Sequence, residues 1–289
     1  MIVVTGATGQ LGRLVIEKLL ETIPANRIVA AVRNPDRASD MAALGVDVRR
    51  ADYAKPETLS AAFAGADRLL LVSSNNLGQR LAEHCAVVDA AVSVGVKLLA
   101  YTSILRADTS TMALAAEHKS TEEYISKSGI PFVFLRNGWY FENHTRLLGH
   151  AIGTGAIVGA AGHGHFASAA CSDYAAAAAA VMTTAGHENK TYELAGNAPY
   201  TYYELAELVS QISGKHVSYN DSAEALQQSY LSFGVPSAIA TIIVDADLGA
   251  AKGELDSTSR DLETLIGRPT SSLKDAVNRA LGSATAGAH

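Results

Sequence analysis

Six short runs of apolar and β-branched residues, each followed by a turn and most by an amphipathic stretch, constrain this chain more than any other feature of its sequence. They are Ile2–Thr5, Ile28–Arg33, Val46–Asp52, Arg68–Ser73, Lys97–Thr102 and Phe132–Arg136. The runs lack the apolar–polar alternation of a half-solvated strand, so each needs cover on both faces, as strands of a parallel sheet do. Leu11–Leu20, Thr58–Phe63, Leu81–Val94 and Met112–Lys127 have helical spacing and can supply that cover. The pattern predicts an α/β fold built on a doubly wound parallel sheet.

Directly after the first run comes Thr5-Gly6-Ala7-Thr8-Gly9-Gln10-Leu11-Gly12, which opens the first helical stretch. A helix N-terminus offers unpaired N–H groups and the positive end of the dipole, a site suited to a pyrophosphate. Gly6 permits the tight turn, Gly9 lets phosphates approach the backbone, and Gly12 lets helix and strand pack closely. Gly6, Thr8, Gly9, Gln10, Leu11 and Gly12 are therefore candidate dinucleotide ligands, and the fold expected is a Rossmann fold. A tight strand-to-helix turn with no ligand is the plainer alternative. The second run ends in Arg33 where NAD-binding domains carry an acidic residue for the ribose 2′-OH. A guanidinium can fork onto a 2′-phosphate, so NADPH is the expected cofactor. The plainer reading of Arg33 is a solvated strand end.

Past Tyr140 the rhythm loosens into a Gly-rich patch (Gly153–Gly164), an Ala-rich helix (Tyr174–Thr184), a short strand (Thr191–Leu194) and further helices to Leu281. The expected organisation is a dinucleotide-binding domain over 1–140, to which some later segments return, a smaller mixed α/β substrate lobe over 141–281, and a tail over 282–289. With 48% hydrophobic and 18% charged residues, the 289-residue chain has ample material for a core and is not a disordered polymer. A net charge of -6 without a basic block argues against a nucleic-acid partner. The two cysteines, Cys85 and Cys171, fit neither a disulfide framework nor a thiolate metal site. No apolar run reaches membrane-spanning length and no charged leader precedes the first strand, so a cytoplasmic protein without membrane insertion is expected. Oligomeric state stays open between monomer and homodimer.

The Gly-x-x-Gly-x-x-Gly spacing resembles the short-chain dehydrogenase/reductase superfamily. The further landmarks Val32-Arg33-Asn34-Pro35, the His118-x-x-Thr121-Glu122 helix and Phe134-Leu135-Arg136-Asn137-Gly138-Trp139-Tyr140-Phe141-Glu142-Asn143 narrow the likeness to the NmrA-like branch of its atypical members. Within that branch the chain is similar to the bacterial type 2 NAD(P)H:quinone oxidoreductases, with triphenylmethane dye reductases as relatives. The resemblance implies that Asp52 holds the adenine edge and that Ser73, Ser74 and Asn75 approach the adenosine ribose and phosphates. It places Thr102, or Ser103, at the superfamily's serine position. Asn137 and Gly138 would meet the nicotinamide end, while Trp139, Tyr140 and Asn143 border the substrate. As plainer alternatives, Asp52 caps a turn, the serines form turns, and Trp139 packs in a core.

The usual Tyr-x-x-x-Lys pair is missing: Leu114 stands at the tyrosine position and His118 at the lysine position. Tyr124 and Lys127, three apart and late in the helix, read as a solvated face. His118 is open between a cofactor-ribose contact, a weak proton donor and an ordinary half-buried histidine. Ketone reduction leaves a basic alkoxide and needs a positioned acid, whereas quinone reduction leaves a weakly basic phenolate. A proton from water, Tyr140 or His118 then suffices. The expected activity is direct two-electron hydride transfer from NADPH to quinones or similar acceptors, with Asn137, Tyr140 and His118 as candidate catalytic groups. The alternative is an NADP(H)-sensing regulator without turnover; an epimerase or ketone reductase is disfavoured by Leu114. The segment Gly159–Phe166, including His165, is expected in the pocket wall. Its histidines lack a third ligand at sensible spacing, so no metal is expected.

Overall fold

The computed structural model describes residues 1–286, with side-chain surroundings through Gly282. Each of the six runs forms a strand, with β5 and β6 extending past the expected ends: β1 (Ile2–Thr5), β2 (Ile28–Val32), β3 (Asp47–Arg50), β4 (Arg68–Leu71), β5 (Leu98–Ile104) and β6 (Phe132–Asn137). Between them lie α1 (Gln10–Leu20), α2 (Ser39–Ala43), α3 (Leu59–Phe63), α4 (Arg80–Ser93) and α5 (Ala113–Lys127). The chain continues through α6 (Phe141–Thr145), α7 (Leu148–Thr154), β7 (Ala156–Gly159), α8 (Cys171–Thr183), β8 (Lys190–Leu194), α9 (Tyr202–Ser213), β9 (Ser218–Asp221), α10 (Ala223–Ser232), α11 (Ser237–Ala251), α12 (Asp261–Ile266) and α13 (Leu273–Ala286).

Seven strands form one parallel sheet in the order β3-β2-β1-β4-β5-β6-β8. The winding reverses between β1 and β4, and the crevice beyond their C-terminal ends is where open α/β sheets bind ligands. The five inner strands are covered on both faces, as their continuous apolar runs require, whereas the edge strand β3, Asp-Val-Arg-Arg, is only half-buried and ends exposed. Val4, Ala30, Leu70 and Val133 pack with Val15, Ile16 and Leu19 of α1 and with Ala175, Ala178 and Met182 of α8. The neighbouring residues Val3, Val29, Leu69, Leu71 and Leu99 face Leu59, Phe63, Val87, Val88 and Ile125 on the other side. Each such fully buried aliphatic side chain contributes about 2 kcal/mol.

The remaining elements form a second core around Ile157, Phe166, Tyr202, Leu205, Val209, Ala246 and Val277. Its two-stranded sheet pairs β7 with β9 in parallel. A reciprocal capping box between Thr201 and Glu204 opens α9, and left-handed Gly214 closes it at φ 69°. The Ala-rich helix starts earlier than its composition suggests, because both Glu142 carboxylate oxygens accept from the Cys171 N–H, at 3.0 and 3.1 Å. The expected tail over 282–289 differs in part: α13 runs on to Ala286, and the last residues lie outside the described ones.

Candidate active site

At the end of β1, Thr5 ties three elements together. Its hydroxyl donates to the Leu70 carbonyl at 3.1 Å and accepts from the Val72 N–H at 3.0 Å, and the Tyr53 hydroxyl bonds to it. That arrangement fixes the loop which follows. Gly6 turns it at φ 58°, a left-handed conformation that favours glycine. A Cβ on Gly12 would lie 2.4 Å from the Gly6 carbonyl oxygen and 2.8 Å from Ala7 Cα, so close packing of α1 on β1 requires glycine there. Gly9 is different: at φ −76°, ψ 167° any residue fits, and only the Gly6 oxygen would come near a Cβ, at 3.2 Å. Internal packing does not explain that glycine, whereas a bare cleft floor for phosphates does. α1 has no acidic residue in its first turn and no side chain capping its N–H groups, so its positive end is left for an anion.

Around this loop opens a cleft of about 650 Å3, within the range of cofactor pockets. It is lined by Gly6, Thr8, Gly9, Gln10, Leu11, Gly12, Arg33, Asp52, Ser73, Ser74 and Asn75. Thus the structure brings together most of the residues expected to hold the dinucleotide. Asp52 also serves its turn, accepting from the Ala54 N–H at 3.2 Å. Arg37 stands near Arg33 in the lining, presented by a short turn that Asn34 caps through the Asp36 N–H at 3.1 Å.

The segment after β4 is held from behind. Thr102 is buried and does not line the cleft; its hydroxyl accepts from the Ser73 N–H at 2.9 Å, so it acts through Ser73. His84 Nε2 accepts from the Ser74 N–H at 2.9 Å, and Arg80 Nε donates to the Ser74 carbonyl at 2.7 Å. Glu83 bonds the Ser74 hydroxyl and accepts from Asn76 Nδ2 at 2.6 Å. Burial, reinforced by the Arg80 charge, depresses the His84 ring to about 3, which keeps Nε2 an acceptor.

β6 ends in the second part of the site. Buried Arg136 forks onto Glu122, with bonds of 3.0 and 2.7 Å, and also meets Asp108 and Glu193, each at 2.8 Å. Next in sequence, buried Asn137 donates from Nδ2 to the Tyr140 hydroxyl at 3.0 Å, while its Oδ1 has no partner. Tyr140, its ring 4.9 Å from that of Tyr174 and tilted 34° to it, lines the cleft together with Asn143. Burial pushes the Tyr140 phenol above its ordinary value; the nearby Cys171 group adds to this and the Asn137 bond opposes it. The phenol therefore stays protonated at neutral pH.

Several expected residues lie elsewhere. His118 is buried, bonded through Nδ1 to the Tyr101 hydroxyl at 2.7 Å, and held well below its ordinary value by burial and then by Arg80 and His84. It does not line the cleft, which corrects the expected proton role: its ring belongs to the core between β5 and α5. Gly138 is also buried away from the lining; a Cβ there would meet the Tyr174 hydroxyl at 3.0 Å. Trp139 packs against the lobe core, and Leu114 does the same from α5. His165 is exposed and does not line the cleft, and neither does the rest of Gly159–Phe166, which is corrected accordingly. That segment serves the lobe's own packing: Ala160 N–H donates to Asp247 at 2.8 Å and Phe166 enters the core.

Tyr53, Arg37, Glu83 and Arg146 line the cleft without having been assigned to it from the sequence. Only Arg37, close behind Arg33, carried a signal.

Residues 1–273 match the NmrA-like family. The chain belongs to that family. Among NmrA-like relatives it is 48% identical over 279 residues to quinone oxidoreductase 2 of Escherichia coli (strain K12), spanning 96% of this chain and 98% of that protein. The crystal structure of the NADPH-dependent quinone oxidoreductase from Escherichia coli, complexed with NADPH, superposes with a TM-score of 0.94 at 48% identity, covering 97% of this chain and 100% of the other. The triphenylmethane reductase of Citrobacter sp., complexed with NADP(H), superposes at 0.93 with 43% identity, again covering 97% and 100%. No helix among the described residues is long and apolar enough to cross a membrane.

Proposed function

We propose that this protein is an NADPH-dependent reductase acting on quinones or similar acceptors that need little acid assistance. The observation that carries the reading is the cleft itself, with a glycine floor at an acid-free helix start, Arg33 at one flank and Tyr140 at another. The backbone from Gly6 to Gly12 binds the pyrophosphate, Arg33 with Arg37 beside it binds the 2′-phosphate, and Asp52, Ser73, Ser74 and Asn75 line the adenosine side. Bound NADPH supplies a hydride. Because the Tyr140 oxygen accepts from Asn137, its own proton is free to point outward, and burial keeps that proton in place. Asn137 Oδ1, buried and unpartnered, is left to accept from an amide at the nicotinamide end. Asn143 borders the acceptor.

A quinone asks little more of the protein than this, since its reduced form is a weak base and position matters most. Leu114 at the usual tyrosine position fits such an acceptor, and so do the named activities of the two relatives. The two unpaired cysteines fit a reducing cytoplasm. The test is to mix purified protein with NADPH and small benzoquinones or naphthoquinones and follow absorbance of the reduced cofactor. Loss of NADPH well above the uncatalysed background is expected; none above it overturns the assignment.

A further inference from the structure

The cationic lining of the cleft does not all come from the sheet domain. Tyr140, Asn143 and Arg146, spaced three apart along the segment that opens, forms and closes α6, all line the cleft; Tyr140 packs on the sheet core, whereas α6 beyond it belongs to the lobe. Arg146 is exposed, and its guanidinium forms no hydrogen bond or ion pair with any described residue. Its charge is felt by the Tyr230 phenol of α10, but no carboxylate among the described residues neutralises it, and a charged side chain lining a cleft without a counter-charge is placed to meet a ligand's charge.

Charge matching indicates which one. NADPH carries two negative charges on its pyrophosphate and nearly two more on its 2′-phosphate. Arg33 and Arg37 both belong to the segment after β2, where the phosphorylated ribose is assigned. The glycine loop carries no lysine or arginine, so the pyrophosphate meets there only backbone N–H groups and about half a unit charge from the helix. The other charged residues of the lining, Asp52 and Glu83, are acidic. Arg146 is the cation left to complete the balance.

We infer that Arg146 is a lobe-borne ligand of the dinucleotide pyrophosphate, adding a cation to the backbone N–H groups of the glycine loop that lines the same cleft. The inference rests on the NADPH reading above. It makes cofactor binding a contact shared by both parts of the molecule, and it separates two tasks among the arginines: Arg33 discriminates NADPH from NADH, while Arg146 serves both alike.

Binding calorimetry on the full chain tests this with Arg146→Ala and Arg146→Lys, both at an exposed position where thermal melting should be unchanged. Arg146→Ala should weaken NADPH and NADH by the same factor, about tenfold, as expected for one lost charge-assisted contact at a partly wet site. Arg146→Lys should recover part of the loss. Two fragments locate the contact: 2′-phospho-ADP-ribose, which keeps the pyrophosphate, should lose affinity as NADPH does, whereas 2′-phospho-AMP should not. Unchanged NADPH affinity, a shifted NADPH-to-NADH ratio, or equal loss for both fragments overturns the inference and leaves the reductase reading standing. An unaltered parent protein that binds neither dinucleotide sinks both.

Discussion

Gly9→Ala separates the two reasons a position can require glycine. In the free protein the new methyl would sit 3.2 Å from the Gly6 carbonyl oxygen and near nothing else, so a shift of a few tenths of an ångström accommodates it. The backbone at φ −76°, ψ 167° suits alanine. Restricting the unfolded chain stabilises by about 0.4–1 kcal/mol, and alanine as a helix N-cap loses a comparable amount against glycine. The melting temperature should therefore move by no more than about 2 °C. On the cleft floor the same methyl occupies space that phosphate oxygens need, and overpacking of this kind costs about 2 kcal/mol. The dissociation constant for NADPH should rise about 30-fold. Gly12→Ala is the contrast: its Cβ meets backbone atoms at 2.4 and 2.8 Å, so α1 must move off β1, and stability and binding fall together. Calorimetric titration with NADPH, paired with thermal melts of the free proteins, reads both effects. A Gly9→Ala protein that binds within threefold of the parent, or that melts as low as Gly12→Ala, refutes the reasoning.

Arg33→Asp should weaken NADPH about 100-fold, about 3 kcal/mol, by removing charge-assisted bonds to the 2′-phosphate and adding repulsion; NADH should change only a few-fold, and an unmoved ratio of kcat/KM for the two cofactors counts against Arg33. Tyr140→Phe should lower kcat with quinones about tenfold, below the usual range for a general acid because the acceptor needs little help. Since burial raises the Tyr140 phenol, parent kcat should be flat between about pH 6 and 9, and a step there that vanishes in Tyr140→Phe contradicts the assignment. Buried His84 and His118 stay neutral in the folded state while the unfolded chain protonates them below about 6.5. Their contribution is complete above that pH and falls on acidification by about 1.4 kcal/mol per pH unit for each ring, down to about 3 for His84. Urea titrations between pH 6 and 4 should show a shallower loss for His84→Gln, and an equal slope would speak against buried neutral histidines.

The sheet was readable because a strand covered on both faces must be apolar at every position, and Val3 and Val4 do point to opposite cores. The glycine loop was readable because backbone geometry, which sequence writes directly as glycine, makes the site. What escaped was any role set by which way a side chain points across long separations. His118 sits in the expected helix, yet a partner 17 residues away, Tyr101, draws its ring inward. Arg146 and Glu83 come from segments whose composition resembles any solvated helix surface. The Gly159–Phe166 stretch looked like a pocket wall, but Gly159 and Gly164 answer to crowding inside the lobe: a Cβ on Gly159 would lie 2.6 Å from the Tyr202 ring, and one on Gly164 2.2 Å from the Ala250 carbonyl oxygen.

The return of the chain to the sheet has a mechanical consequence. α8 lies on α1, β8 completes the sheet beside β6, and α12 packs on α8, whereas α6, α7, α9 and α13 belong to the other core. The backbone therefore passes between the two bodies repeatedly, after β6, before α8, after β8 and on both sides of α12. A fragment ending near residue 140 would strip α8 from the first helix and leave an apolar face wet, so the nucleotide half should not survive excision. Several parallel tethers also oppose a wide swing of the lobe about one pivot, so any relative movement of the two cores is confined to small sliding displacements.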